Sequence, residues 1–310
     1  MRSLEFRGNL RVNQAPMRFI ILLLSYFVLS ALGACSGREE STIQETKALY
    51  LRLVSGDEDA RGQLLELAEA MSSSPTPPPP EQAYYVGLAA DPERFPNAPG
   101  TSTKLAAQMY RQAMVSEPAA GYNLAMLALG SGTPLQPGEN VRGLIEAAAN
   151  AGMVDAMVLL GYFLKDGAPG FEKSTAMAVT WFERAEQFDR NPLAELELAK
   201  LLREEDPVRH ATRIVELLIS SANQGMAEAA AELSNISNEP VARARWALLA
   251  GRLDGQFSAG AQRLLQTLDR RKVQTVWDDV AAWQAAHRQR PILVSRIGKP
   301  IDLVQKALEK

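Results

Sequence analysis

The sequence predicts an all-α protein, an α/α superhelical solenoid of antiparallel helix pairs. Aromatic residues make up only 6% of the chain while small alanines are frequent, a balance that favours helix over strand. A pattern of small and large residues also returns about every 36 residues, which is typical of helical repeats. With 46% apolar residues, the chain can bury a core in one or two domains.

The second helix of each predicted pair carries the pattern small-x-x-large-large-x-x-small-small. Its first large residue stands at positions 109, 144, 181, 217 and 246, so the successive spacings are 35, 37, 36 and 29. The helix before it has Ala, then Leu four residues on and a small residue next, as at Ala156, Leu160 and Gly161. Small residues let two helices approach closely, and the large pair fills the groove between them. Because one pair cannot bury its apolar face alone, neighbouring pairs must stack.

The clearest unit covers residues 152–189, with Leu160-Gly161 on its first helix and A-V-T-W-F-E-R-A from Ala178 on its second. This order resembles Sel1-like repeats, which are relatives of tetratricopeptide repeats, and the likeness extends over residues 81–255. It weakens at residues 194–225, which lack the Trp, and after that unit, where the loop between helices is short. The resemblance implies a solenoid whose first helices line a concave surface for a protein partner.

The N-terminus carries an uncharged stretch, residues 19–32, that follows Arg18. It is too short to span a bilayer and has the length of a signal-peptide apolar region. Leu-Gly-Ala-Cys at residues 32–35 resembles the bacterial lipobox, in which the cysteine is acylated and becomes the mature N-terminus. We therefore expect residues 1–34 to be a lipoprotein signal peptide, with Met17 as the true start and Cys35 as the lipid attachment. Ser36 in place of Asp favours a lipid anchor in the outer membrane, on the periplasmic side.

Four further segments frame the repeats. The sequence predicts an acylated N-terminus and tether at residues 35–46, an N-terminal helix pair at 47–71, a stiff Pro-rich linker at 72–80 and a helical capping region at 256–310. A capping box of Ser55 and Glu58 would start the second helix of the N-terminal pair. Residues 91–103 are expected to be an irregular insertion inside the first repeat unit, and residues 301–310 a last helix.

Residue patterns for catalysis or metal binding are not found in the sequence. Neither of the two histidines, His210 and His287, is paired with a cysteine, and no H-E-x-x-H motif is present. The stretch from Gly255 to Gly260 has the wrong spacing for a nucleophile elbow. We therefore expect no enzyme activity, no cofactor and no metal. Net charge is −3 without any basic run, so nucleic acid is not an expected partner.

Partner contacts are expected on the first helices, at positions off the Ala/Leu face that differ between repeats. The candidates are Tyr122, Met126, Tyr162, Phe163, Glu195, Glu197, Lys200 and Arg203. Exposed Tyr and Met are the more suggestive because such residues are enriched in interface cores. The alternative is a solvated face with packing between repeats.

The favoured hypothesis is a lipid-anchored protein-binding module that faces the periplasm. Among similar lipoproteins some are immunity proteins that neutralise phospholipase effectors of type VI secretion, and others are scaffolds of envelope or exopolysaccharide secretion complexes. The partner would then be an effector toxin or an envelope complex component. A short array without other domains favours immunity. A glycan- or peptidoglycan-binding protein is a further alternative, with Tyr84, Tyr85, Phe95, Trp277 and Trp283 as the available aromatic residues.

Overall fold

The computed structural model describes residues 39–287, and this part of the chain is α-helical with short connections. The helices are α1 (39–54), α2 (Glu58–Ser73), α3 (Pro80–Ala90), α4 (Thr103–Ala113), α5 (Pro118–Ser131), α6 (Val141–Asn150), α7 (Val154–Asp166), α8 (Thr175–Phe188), α9 (Pro192–Glu205), α10 (Ala211–Asn223), α11 (Ala227–Ile236), α12 (Pro240–Leu253), α13 (Ser258–Gln266) and α14 (Arg270–Ala286). Within residues 39–287 there is no β-strand, and an isolated bridge joins Ala168 to Phe171. The predicted all-α solenoid is confirmed.

The helices from α3 to α12 form five consecutive antiparallel pairs, which we call units 1 to 5, and each helix packs on the one before and the one after. Helix starts are set by polar caps: Asn140 accepts a hydrogen bond from the Gly143 amide at 2.7 Å, and Asn191 caps α9 with Pro192 in its first turn. Several helix ends turn at glycines with positive φ, such as Gly152 (97°) and Gly225 (95°). Local sequence therefore fixes where each hairpin begins and turns.

Close packing inside a pair depends on a small residue of the first helix facing a large residue of the second. A methyl group placed on Gly161 would lie 2.5 Å from Phe182 Cε1, and one on Gly87 would lie 2.9 Å from Tyr110 Cε1. Both rings are fully buried. A glycine at this position therefore leaves room for the ring of Tyr110 in unit 1 and of Phe182 in unit 3.

The apolar core runs along the stack as two adjoining clusters. The first contains buried residues from Tyr50 to Leu127, and the second contains buried residues from Tyr122 to Val280. They interleave in α5, and Leu144 packs against both clusters. Each unit thus completes its core with side chains of its neighbours, as expected of stacked hairpins.

The N-terminal segment differs from its prediction as a tether. Helix α1 already includes residues 39–46, and Thr46 accepts a hydrogen bond from Gln82 Nε2 of α3 at 3.0 Å. The physical reason is the spacing of Ile43, Thr46, Tyr50 and Leu53, which are buried along one stripe of the helix. The segment is therefore the first half of an amphipathic helix, although its exposed residues are polar.

Two other N-terminal predictions are also corrected. Asp57, not Ser55, caps α2, because its side chain accepts hydrogen bonds from the Asp59 and Ala60 amides. The Pro-rich stretch is irregular only from residue 74 to 79, since α2 extends to Ser73 and Pro80 starts α3. It connects two helices that pack together, so the N-terminal pair is a further layer of the solenoid.

The C-terminal helices α13 and α14 both pack against α12, with Val276 and Val280 of α14 buried. Trp283 Nε1 donates a hydrogen bond to Asn223 Oδ1 of α10 at 2.8 Å. The predicted signal peptide, Cys35 and the predicted last helix at 301–310 lie outside the described residues. Among helices within residues 39–287, none combines the length and the apolar character that a bilayer crossing requires.

Candidate protein-binding surface

The eight predicted contact residues lie on the first helices α5, α7 and α9, as expected, but five of them are buried. Tyr122, Tyr162, Phe163, Glu195 and Glu197 are each at most 7% exposed. The expectation that they are exposed is therefore wrong. First helices are enclosed by their own second helix and by the helices of adjacent units, so burial extends around most of their circumference.

The two aromatic residues of α7 are part of the core. Phe163 stacks on Phe171 with ring centroids 4.6 Å apart, because the loop after α7 folds back at the Ala168–Phe171 bridge. Tyr162 meets Phe182 edge to face at 5.6 Å. Burial and the nearby charge of Glu197 raise the pKa of Tyr162. These rings fill space between helices and present little surface to a partner.

Charged residues on the first helices pair with one another across units. Lys165 Nζ of α7 lies 2.6 Å from Glu197 Oε2 of α9, and Lys200 Nζ lies 3.0 Å from Glu197 Oε1 and 2.6 Å from Glu228 Oε1 of α11. Arg203 pairs with Glu232 in the same way. We call these six residues the inner ladder. It joins the first helices α7, α9 and α11 side by side. We call the surface that the first helices form on this side the first-helix face.

The inner ladder pairs three basic side chains with three carboxylates. Burial alone would raise the pKa of Glu197, but Lys200 and Lys165 are so close that the pKa is lowered overall. The pKa of Lys200 is correspondingly raised by Glu197 and Glu228, against the effect of burial. Glu197, Lys200 and Arg203 thus connect repeats, and their charges are already satisfied within the chain.

The same face has a different character in units 1 and 2. Met126 and Leu129 of α5 stand at the repeat positions that Lys200 and Arg203 occupy in α9, and both are half-buried. On α3, Tyr85 stands at the repeat position of Glu197 and is half-buried, as is its neighbour Tyr84, whose ring centroid lies 5.8 Å away. Helix α1 covers part of Tyr85, since the Tyr50 ring centroid lies 5.7 Å and Lys47 Nζ 5.9 Å from its own centroid. We call Tyr84, Tyr85, Met126 and Leu129 the apolar patch.

Comparison with known proteins identifies structures that share this architecture. No protein-family model matches the chain, and no curated protein matches it. Among solved structures, a protective antigen of uropathogenic Escherichia coli that displays an SLR (Sel1-like repeat) fold aligns with a TM-score of 0.65 and 17% identity, covering 86% of this chain. A Sel1 repeat protein of Oxalobacter formigenes aligns with a TM-score of 0.51 and 18% identity, covering 69% of this chain and 90% of that one.

The chain has the Sel1-like repeat fold. It spans 57% of the length of the Escherichia coli structure. The Sel1-like resemblance predicted from the sequence is thereby confirmed at the level of fold.

Unit 4 of this Sel1-like array contains a feature that the sequence did not predict. Glu195 points toward α10, where Ser220 Oγ donates to its Oε1 at 2.7 Å and Gln224 Nε2 donates to its Oε2 at 2.8 Å. Burial raises the pKa of Glu195, although Ser220 and nearby arginines act in the opposite direction. The carboxylate is the floor of a groove between α8 and α10. The sequence signal was present, since an acid at this Sel1-like position replaces Gly121, Met157 or Ala230.

The aromatic residues considered for glycan binding are dispersed over this Sel1-like structure. Phe95 lies under the Arg61 guanidinium at 4.2 Å from its ring centroid, and Trp283 stacks on His287 at 4.3 Å. Trp277 is 38% exposed and has the Arg252 guanidinium 5.0 Å from its ring centroid. Phe95 lies between α3 and α4, Tyr84 and Tyr85 lie on α3, and both tryptophans lie on α14, so the five rings are not on one element. Within residues 39–287, no group of three or more potential metal ligands is placed to share an ion.

Proposed function

We propose that this solenoid is a non-catalytic module that binds a protein partner through the apolar patch on the first-helix face. The single observation that carries the proposal is the change along this face from paired charges to half-buried Tyr, Met and Leu. Tyr and Met are enriched in interface cores, whereas paired charges contribute little net affinity. A partner that covers the patch would bury apolar surface that the repeats leave partly open.

The proposal includes a membrane location. Residues 17–35 support acylation of Cys35, which would hold the solenoid at the outer membrane on its periplasmic side. More than one acyl chain gives a stable anchor, where a single chain would be marginal. Because the described part of α1 begins at residue 39, the N-terminal layers and the apolar patch would lie at the membrane-proximal end.

Two finer roles are compatible with this placement. As an immunity protein, the solenoid would cover a phospholipase effector and suppress its hydrolysis of lipid. As a scaffold, it would hold components of an envelope or exopolysaccharide secretion complex without changing their activity. Reconstitution of the purified pair with lipid vesicles distinguishes them, since only the first role requires that phospholipid hydrolysis is lost on binding.

Site-specific photo-cross-linking in the intact envelope tests the binding face. A photoreactive amino acid at Met126 is expected to give a cross-link to one protein, and the same probe at Ala147 is the matched control. Ala147 is exposed on α6, the second helix of the same unit. The variant Met126→Glu should lose capture of that protein from solubilised envelope, whereas Ala147→Glu should retain it. An equal cross-link from position 147, or none from position 126, would contradict the proposal.

A further inference from the structure

The groove between the second helices α8 and α10 is a separate feature of the surface. Its volume is about 340 Å³, and it runs along α10 from Arg213 to Asn223. Leu217 and Ile219 contribute apolar surface to it. Ile219 is 36% exposed, so residues 39–287 leave part of this apolar surface open.

The described part of the chain ends beside this groove. Trp283 Nε1 of α14 donates a hydrogen bond to Asn223 Oδ1 at 2.8 Å, and Asn223 lines the groove. The ring of His287, the last described residue, stacks on Trp283 with centroids 4.3 Å apart. The chain therefore leaves α14 at the end of the groove that Asn223 marks.

The sequence that follows α14 contains an apolar run. Ile292, Leu293 and Val294 stand together, with Pro291 directly before them. Proline favours extended backbone over helix, both at its own position and at the residue before it. Burial of three such side chains against open apolar surface is favourable, because it removes both surfaces from water.

Covalent geometry allows the apolar run to reach Ile219. An extended chain spans at most about 3.3–3.6 Å per residue, so the six steps from His287 to Leu293 cover up to about 20 Å. From Asn223 to Ile219 is about one turn of α10, or about 6 Å along the helix axis. Because His287 lies one side chain away from Asn223, the segment is long enough to enter the groove.

The charges of the segment complement the rest of the chain. Residues 288–300 contain four basic residues and no acidic one, so the other residues share a net charge of −7. Three acids and two bases line the groove. Among the acids, Glu216 is the most exposed, at 61% of its side chain, and it lies 3.9 Å from Arg213, whose closer partner is Glu186 at 2.9 Å. Arg296, two residues after the apolar run, can therefore pair with Glu216.

Trp277 on α14 is an alternative site for the apolar run, since it also lies within reach of residues 288–300. Trp277 is 38% exposed, but its ring already has the Arg252 guanidinium 5.0 Å from its centroid. A basic segment would meet a like charge there. The groove instead combines open apolar surface with an exposed carboxylate, so it is the better fit to this segment.

We propose that residues 288–300 fold back into the groove of their own chain, with the apolar run 292–294 against Ile219 and Arg296 beside Glu216. The segment closes the second-helix side of units 3 and 4 and leaves the first-helix face as the open surface of these units. This inference goes beyond the proposed function, because it concerns a contact within the chain and requires neither a partner nor a lipid anchor.

Photo-cross-linking within the purified full chain tests the contact. A photoreactive amino acid at Ile219 is expected to give a cross-link to residues 288–300, identified by peptide mapping of the monomer. The same probe at Trp277 is the matched control, because the two residues are 36% and 38% exposed and both lie within reach of the segment. A segment that is tethered but not docked would react at both positions, whereas the proposal predicts reaction at Ile219 alone.

A pair of variants in the segment tests the apolar contact. Leu293→Asp should abolish the cross-link from Ile219, whereas Gln289→Asp, which adds the same charge outside the apolar run, should retain it. The proposal is overturned if the cross-link from Ile219 is absent, joins two copies of the chain or is equalled at Trp277. Survival of the cross-link in Leu293→Asp, or equal loss in both variants, also overturns it.

Discussion

Substitution of Gly161 by Ala is expected to destabilise the protein, although alanine is the better helix former. The added methyl group would lie 2.5, 2.6 and 2.8 Å from Phe182 Cε1, Cζ and Cδ1. Phe182 is fully buried, so its ring cannot turn out into solvent. Normal carbon contacts need about 3.5–4.0 Å, so α7 and α8 must separate by roughly 1 Å.

The size of the effect follows from two opposing terms. Overpacking of a core costs about 1–3 kcal/mol, and exchange of Gly for Ala inside a helix returns up to about 1 kcal/mol. With a ring that cannot move away, we expect a net loss of about 1–2 kcal/mol. The matched control is Gly62→Ala in α2, where nothing lies within 4 Å of the new methyl group. That variant should gain about 0.4–1 kcal/mol.

Urea unfolding monitored by circular dichroism measures both variants, and a double-mutant cycle identifies the cause. Phe182→Leu alone should cost about 1–2 kcal/mol through the cavity it leaves. Combined with Gly161→Ala it should cost less than the sum, because unit 4 already has Ala199 and Leu218, both buried, at these positions. Strict additivity, or a Gly161→Ala variant as stable as Gly62→Ala, would refute the size-matching argument.

Three further predictions concern charge and anchoring. Glu195→Gln should raise the thermal unfolding temperature at pH 7, because burial raises the pKa of Glu195 and its ionised form therefore lowers the stability of the fold. As the pH falls, the wild-type carboxyl becomes protonated and this loss disappears, so the two proteins should unfold at the same temperature near pH 4. Lys200→Met should lower the free energy of unfolding by about 1–2 kcal/mol, because the buried Glu197 loses one of its two cations and keeps only Lys165. The loss should shrink below pH 4.5, where Glu197 is protonated in the unfolded chain. Unchanged urea midpoints would contradict this. Metabolic palmitate labelling should disappear in Cys35→Ala, and labelling that persists would disprove the lipid attachment.

The helix pairs could be predicted because each leaves a local signal in the sequence. The small and large residues of the repeat are spaced as helix faces, so the positions of α3 to α12 followed from periodicity. The first half of α1, residues 39–46, was missed because its polar outer face dominated the composition, and Ile43 was not recognised as part of the buried stripe that continues through Tyr50 and Leu53. Asp57 displaced Ser55 as a cap because two side chains capable of capping stand within three residues.

The contact face could not be predicted from the same signals. Periodicity identifies the face that packs within a pair, but Tyr122, Tyr162 and Glu197 are buried by neighbouring units, and that burial depends on how units stack. The groove at Glu195 could not be predicted from the sequence for the same reason. Its carboxylate meets Ser220, 25 residues away, only after α9 and α10 have paired.

Zero-length carbodiimide cross-linking with peptide mapping tests the stacked repeats most directly. Lys200 Nζ and Glu228 Oε1 are 2.6 Å apart on the first helices of consecutive units, and both side chains are partly exposed. The stacking in register described above predicts an amide bond between these two residues in the monomer. A monomer in which Lys200 forms no bond with Glu228, or is joined to a carboxylate of a distant unit, would contradict it.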